Sequence, residues 1–105
     1  MPRLIFSANA LRDLKRLQNF WRPKSHDVAE RIKKTIFKEL NILTQQPRIG
    51  RRVKNHLNAE LREWLISFGA SGYVALYRFY EETDLIVIPA LRHQKEVGYH
   101  TAKTS

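Results

Sequence analysis

Midway along the chain the apolar residues change period. Before Pro47 they recur every three or four positions: Val28, Ile32, Ile36, Leu40 and Leu43 form one stripe. After Glu60 they alternate or run together, in "ELREWLISF", "YVALYRFY" and "LIVIPAL". A helical stripe in one half and strand-like segments in the other restrict the chain to helices laid on one face of a sheet, an α+β domain of two layers. At 105 residues and 43% hydrophobic residues, the chain is long enough for one such domain and its single core.

The boundaries follow from caps and breakers. "RLIF" reads as a short N-terminal strand, and Ser7 can cap a helix over about 8–21. Leu11, Leu14, Leu17, Phe20 and Trp21 give its apolar spacing, and Pro23 stops it. Ser25 or Asp27 can cap a second helix, with Glu30 placed as in a capping box, and Gln46 before Pro47 sets its expected end. Arg31, Lys33, Lys34 and Lys38 fall on its opposite face. The short link predicts an antiparallel helical hairpin. Residues 47–58, with Arg48, Arg51, Arg52 and Lys54, read as an exposed basic loop. Strands are expected over 60–68, 73–80 and 85–91, joined by "GASG" and "EETD" into an antiparallel meander. The order is β-α-α-β-β-β. Pro89 cannot donate to a ladder, so it belongs at an edge, a bulge or the strand's exit. Residues 100–105 are polar and expected to fray.

The charge narrows the function classes. Nineteen Lys and Arg stand against ten Asp and Glu, a net +9, which attracts nucleic acid, an anionic surface or an acidic protein segment. There is no cysteine, so neither a disulfide framework nor thiolate chemistry is available. The four histidines show no metal-ligand spacing, so no metal site is expected. No phosphate loop, dinucleotide fingerprint or nucleophile elbow is present, and no cofactor is expected. The N-terminus lacks the apolar core of a signal peptide, and no run is long enough to span a bilayer. The expectation is a cytoplasmic protein.

The candidate functional residues gather near the end. "ALRHQKEVGY" (90–99) carries Arg92, His93, Lys95 and Tyr99 just past the last strand. Arg62 and Arg78 lie within the meander, and Arg51, Arg52 and Lys54 are placed to rim a basic concave face. Such a face suits a phosphate backbone, whose counterions it releases, and equally a carboxylate-rich peptide. Arg62 and Arg78 have a second reading as partners of Glu63, Glu81 or Glu82. His93 could move a proton in catalysis, and Tyr99 can stack on a base, donate to phosphate or anchor the C-terminus.

Taken together, "RLIFSANALRDLKRL", "ILTQQPRIGRRV", "LREWLISFGASGYVALYRF" and "ALRHQKEVGY" resemble the RelE/ParE superfamily of bacterial type II toxins. The resemblance covers nearly the whole chain, and the last two strings are its most specific part. It implies a small basic toxin neutralised by a cognate antitoxin with an acidic or amphipathic C-terminal segment. RelE-like members cut mRNA in the ribosomal A site; ParE-like members inhibit DNA gyrase without nuclease chemistry.

Residue by residue, the two RelE-like lysines of the first meander strand fall on Leu65 and Ser67, and the arginine after "GY" on Val74. The arginine before the terminal tyrosine falls on His93, beside Arg92, while the tyrosine is kept as Tyr99. Cleavage at a ribose needs a base, an acid and a cation close to the phosphate, roles that Leu65 and Val74 cannot fill. The resemblance therefore favours a ParE-like gyrase inhibitor, with Arg51, Arg52, Lys54, Arg62, Arg78, Arg92, His93, Lys95 and Tyr99 as the surface for target or antitoxin. The alternative is a metal-independent mRNA endonuclease acting on the ribosome, in which Arg92, His93 and Tyr99 are catalytic.

Overall fold

A computed structural model describes residues 1–54 and 60–100. Its elements are β1 (Arg3–Phe6), α1 (Ala8–Trp21), α2 (His26–Leu40), a 3₁₀ turn (Asn41–Thr44), β2 (Arg51–Val53), β3 (Leu61–Phe68), β4 (Ser71–Tyr80) and β5 (Leu85–His93). They form a five-stranded sheet of order β1-β5-β4-β3-β2 with the helical hairpin on one face. The α+β order read from the sequence is found, with one short strand, β2, added before the meander. β2 through β5 pair antiparallel, and β1 pairs parallel to β5, with Arg3 opposite Leu85 and Phe6 opposite Ile88.

The helix starts follow their caps. Ser7 accepts a hydrogen bond from the Ala10 amide and Ser25 from that of Val28. Ser25, not Asp27, is thus the second cap, and Glu30 turns to Arg22 instead of closing a capping box. α2 ends at Leu40, short of the expected Gln46. The apolar spacing tightens there from four residues to three, Leu40 to Leu43, which is the period of the 3₁₀ turn that follows.

Ile32, Ile36, Leu40 and Leu43 pack with Ala10, Leu14 and Leu17 onto Ile66, Tyr73, Ala75, Tyr77, Ile86, Ile88 and Leu91 of the sheet. Two residues of the expected α1 stripe stay outside: Leu11 is 52% exposed and Phe20 is 64% exposed. The buried face of α1 takes Asp13 and Gln18 instead. β1 ends opposite Ile88, so the next stretch of β5 has no strand on that side. α1 supplies the partners: Ser7 Oγ and Asn9 Nδ2 donate to the Pro89 carbonyl at 3.0 and 3.1 Å. The Leu91 amide donates to Asp13 Oδ2 at 2.9 Å, so these backbone groups are satisfied by a helix instead of a ladder.

Pro89 sits at a bulge, just past the point where β1 leaves one side of β5 open. Leu76 faces Ala90 while Arg78 faces Val87, a register shift that puts Ile88 and Pro89 opposite Tyr77.

The expected exposed loop over 47–58 is corrected in part. Arg51–Val53 is a strand, paired with residues 61–63 of β3. Cations hid it: Arg51 is held by Glu63 across the pair, a link that no local pattern displays. Gly50 enters this strand where only glycine fits, because a Cβ there would lie 2.5 Å from Tyr77 Cε1. The Gly50 amide donates to the Tyr77 hydroxyl at 2.8 Å. Residues 55–58 of the expected loop lie outside the described residues, as do 101–105 of the expected frayed tail. His100 is held, its carbonyl accepting from Asn9 and its ring meeting Glu96.

Candidate functional site

Side chains alternate across a strand, so the face away from the helices is set by register. Arg51 lies beside Glu63, Glu63 beside Leu76 and Leu76 beside Ala90; Leu65 lies beside Val74 and Val74 beside Arg92. The centre of this face is Glu63, which is only 8% exposed. Arg51 Nη2 donates to its Oε1 at 2.5 Å, and Tyr99 Oη donates to its Oε2 at 2.5 Å. Arg92 Nη2 lies 3.8 Å from the same Oε2, with its guanidinium 5.1 Å from the centre of the Tyr99 ring. Since β4 lies between β5 and β3, the segment leaving β5 must cross β4 for Tyr99 to reach Glu63. That crossing accounts for Val74 being 1% exposed on a face without helices.

Arg92 also builds the segment it stacks against. Its Nη1 donates to the carbonyls of His93, Gln94 and Glu96, at 3.3, 3.3 and 3.1 Å. Glu96 closes the same turn. Its Oε1 accepts from the His93 amide at 2.7 Å, and its Oε2 meets Arg16 Nη1 and His100 Nε2, each at 2.7 Å. The charged string at the end of β5 is thus a turn tied to β3 by Tyr99 and to α1 by Glu96.

The electrostatics agree. Burial pushes the Glu63 carboxyl pKa up, but hydrogen bonds from Tyr99 and Arg51 and the charges of Arg51 and Arg92 outweigh it, and the net shift is downward. Glu96 is likewise lowered, burial being overcome by the His93 amide, Arg16 and His100. Burial, then the Glu63 carboxylate, raise the Tyr99 phenol well above its ordinary value. Tyr99 is therefore a protonated donor at neutral pH and not a phenolate base. Glu63 has spent its oxygens on two guanidiniums and a phenol.

The other expected site residues separate. His93 follows Arg92 and so points to the helix side, edge-on to Tyr73 with ring centres 5.4 Å apart. The Lys95 amide donates to its Nδ1 at 3.0 Å, which needs a lone pair there and puts the ring proton on Nε2, directed at Ser71 Oγ 3.1 Å away. Arg62 also takes the helix side, giving Nη1 to the carbonyls of Arg48 and Gly50 at 2.9 and 2.8 Å and Nη2 to Glu60 at 3.1 Å. Arg78 is on the open face, its guanidinium 4.5 Å from the Tyr80 ring centre. Arg52 is exposed within the edge strand β2, Lys54 just after it, and Lys95 in the turn after β5. The structure thus joins Arg51, Arg92 and Tyr99 through Glu63, and parts them from His93 and Arg62. Glu63, Glu96 and Arg16 are the residues that sequence reasoning passed over as hubs. One signal was present: an acid alternating with apolar residues in a strand whose neighbours are basic. Among the described residues, no three His, Asp or Glu side chains gather as a metal site would require, and no helix is long and apolar enough to cross a membrane.

Comparison with known proteins places this geometry. Residues 4–98 match the family model of the ParE toxin of the parDE type II toxin-antitoxin system. The chain is 36% identical over 87 residues to toxin RelE3 of Caulobacter vibrioides, covering 83% of this chain and 88% of that one. Among solved structures it is similar to the toxin-antitoxin complex RelBE2 of Mycobacterium tuberculosis, with a TM-score of 0.56, 22% identity, and 90% and 100% of the two chains covered. The intact RelBE toxin-antitoxin complex of E. coli gives a TM-score of 0.55 at 22% identity, covering 91% and 100%. At these identities the structures show a shared fold.

Proposed function

The chain belongs to the ParE toxin family of type II toxin-antitoxin systems, and from that premise we propose that it is a ParE-like toxin that binds and inhibits DNA gyrase, has no chemistry of its own, and is neutralised by a cognate antitoxin. The observation that carries the reading is the Glu63 cluster. A nuclease of this fold needs cations and a proton donor open to a phosphate. Here Arg92 is taken up by three carbonyls, a carboxylate and a ring, and Tyr99 donates to Glu63. A phosphate entering this site would have to displace Glu63 while being repelled by it. His93, the remaining candidate acid or base, lies on the far side of the sheet with both ring nitrogens engaged.

On this reading Arg92, His93 and Tyr99 shape a docking segment, and Arg51, Arg52, Lys54, Arg78 and Lys95 supply its exposed charge. The activity needs neither metal nor cofactor and takes place in the cytoplasm, where gyrase is. The alternative, a ribosome-dependent mRNA endonuclease, draws on the relative named RelE3; it requires Arg92, His93 and Tyr99 to leave the contacts described. The test is gyrase supercoiling with purified toxin, run beside mRNA cleavage in a translating extract. Loss of supercoiling with intact message supports the inhibitor. Cleavage that His93→Ala abolishes supports the enzyme.

A further inference from the structure

The positive charge of the chain is not spent evenly, and much of its free part lies away from the Glu63 cluster. On α2, Arg31, Lys34 and Lys38 are exposed and follow one another at spacings of three and four, so they share one side of the helix. The neighbours of α2 place that side. The Arg31 guanidinium lies 5.6 Å from the ring centre of Phe68 in β3. Phe37, on another side of α2, meets Phe6 of β1 edge-on, with ring centres 5.3 Å apart. β1 and β2 are the two edges of the sheet, and β3 is next to β2. The Arg31 side of α2 therefore looks toward the β2 edge. There Arg52 lies beside Arg62, which puts it on the helix side, and Lys54 follows.

Five cations from two elements thus border one flank, and among the described residues none of the five is in an ion pair. The nearby acids do not cancel them. Glu30 is bound by Arg22 and Glu60 by Arg62. Asp27 stands in the first turn of α2, at the positive end of the helix dipole, and Glu39 is half-buried. Lys34 and Lys38 are like charges one turn apart, an arrangement that weakens a helix. The fold gains nothing from it, and an external anion would relieve it.

The make-up of the flank selects the anion. Lysine is depleted in protein interfaces, which are built around an aromatic or aliphatic anchor. Positions 31, 34 and 38 offer none, and Phe37 is turned to Phe6. A single nucleic acid strand needs open aromatic faces for its bases, and Phe68 is faced by Arg31. A duplex turns its phosphates outward and asks only for charge. Residues 31–38 span about 10 Å of helix, against about 3.4 Å of axis per phosphate on one DNA strand, so the stripe matches several phosphates.

We propose that the flank formed by α2 and the β2 edge holds the phosphate backbone of duplex DNA without reading its sequence. The inference rests on the reading above only in taking DNA, on which gyrase acts, over duplex RNA. It gives the toxin two working surfaces, the open face of the sheet for protein and the helix flank for the DNA which that protein carries.

The experiment is fluorescence anisotropy of a labelled mixed-sequence DNA duplex with purified toxin and no gyrase, from about 50 to about 200 mM salt. For wild type, log K should fall against log salt with a slope of about −3 to −4, the value for roughly four phosphates. Lys38→Ala should flatten the slope by about one. Lys34→Ala combined with Lys38→Ala should flatten it by about two and weaken binding about tenfold or more. Arg3→Ala removes the same single charge at the opposite edge of the sheet, and should leave the slope within about half a unit of wild type. A slope and affinity unchanged in the double variant overturn the proposal, as does an Arg3→Ala effect equal to that of Lys38→Ala. So does tighter binding of a duplex RNA of the same sequence, or of polyglutamate. Toxin that inhibits supercoiling but does not bind the duplex loses the flank alone. Toxin that binds the duplex through Lys34 and Lys38 but leaves supercoiling untouched keeps the flank and loses the functional reading.

Discussion

The phenolic hydroxyl of Tyr99 donates to Oε2 of Glu63 at 2.5 Å, joining the end of the chain to a strand 36 residues earlier and carrying the last turn across β4. Removing either end should therefore loosen both. Tyr99→Phe, which keeps the ring over Arg92, is expected to cost about 1.5–3 kcal/mol, the range for a hydrogen bond to a charged group. Glu63→Ala should cost more, about 3–5 kcal/mol, because Arg92 is left without its carboxylate in a mostly buried position. Urea denaturation of the two single variants and the double variant measures the coupling, which should exceed about 1 kcal/mol. Additive losses would mean that the contact does not hold the segment.

The same cluster fixes the pH response. Glu63 and Glu96 have folded-state pKa values below the ordinary 4.5. Their stabilisation is present above the unfolded value and is lost as pH falls through the lowered folded values. Melting temperature should hold from pH 7 toward pH 5 and drop below about pH 4.5, with Glu63→Gln flattening the drop. Tyr99, Tyr73 and Tyr77 are all raised above the ordinary 10.0, each chiefly by burial. Their contribution is present below pH 10 and is lost as pH rises through the raised folded values. Tyr99→Phe should reduce that alkaline loss. An acid limb identical in wild type and Glu63→Gln would contradict the assignment.

Asp13 is 3% exposed and accepts the Leu91 amide on the side of β5 that β1 no longer covers. Asp13→Ala leaves that amide without its acceptor and removes one of the two carboxylates that hold Arg16, at a cost of about 2–4 kcal/mol. Hydrogen exchange should show the Leu91 amide opening earlier than those of Ile86 and Ile88, which lie where β1 still covers β5. Unchanged exchange at Leu91 would show that Asp13 does not protect it.

Much of this was legible in the sequence, and the missing part shares one cause. The period change placed the helices and the meander, and Ser7 and Ser25 marked the helix starts. The roles of the arginines were ambiguous because their partners are remote. Arg51 pairs with Glu63, Arg62 with the Arg48 and Gly50 carbonyls, and Arg16 with Glu96, at separations of 12 to 80 residues. Local pattern also could not tell that Asp13 would be inside and Phe20 outside. The place of Asp13 is set by the edge of β5, which exists only once β1 has paired and stopped. Arg92 and His93 illustrate the limit from the other side. They are adjacent in sequence and were grouped as one site, yet strand alternation sends them to opposite faces.

Gly50 and Tyr77 join β2 to the core. Tyr77→Phe removes the acceptor of the buried Gly50 amide and should cost about 1–2 kcal/mol. Gly50→Ala should cost more, since the added Cβ meets the Tyr77 ring and the Glu63 carbonyl, the latter at 2.8 Å. Thermal melts of both variants check the order. A Gly50→Ala variant as stable as wild type would mean that β2 moves away from the core without penalty.

The most direct test of the central claim is gyrase supercoiling with wild-type toxin, His93→Ala and Tyr99→Phe, alongside ribosome-bound mRNA. The account predicts that wild type blocks supercoiling and leaves message whole. It also predicts that His93→Ala retains inhibition wherever it remains folded. Message cut by wild type and spared by His93→Ala, with supercoiling untouched, would contradict it and make the segment after β5 an active site.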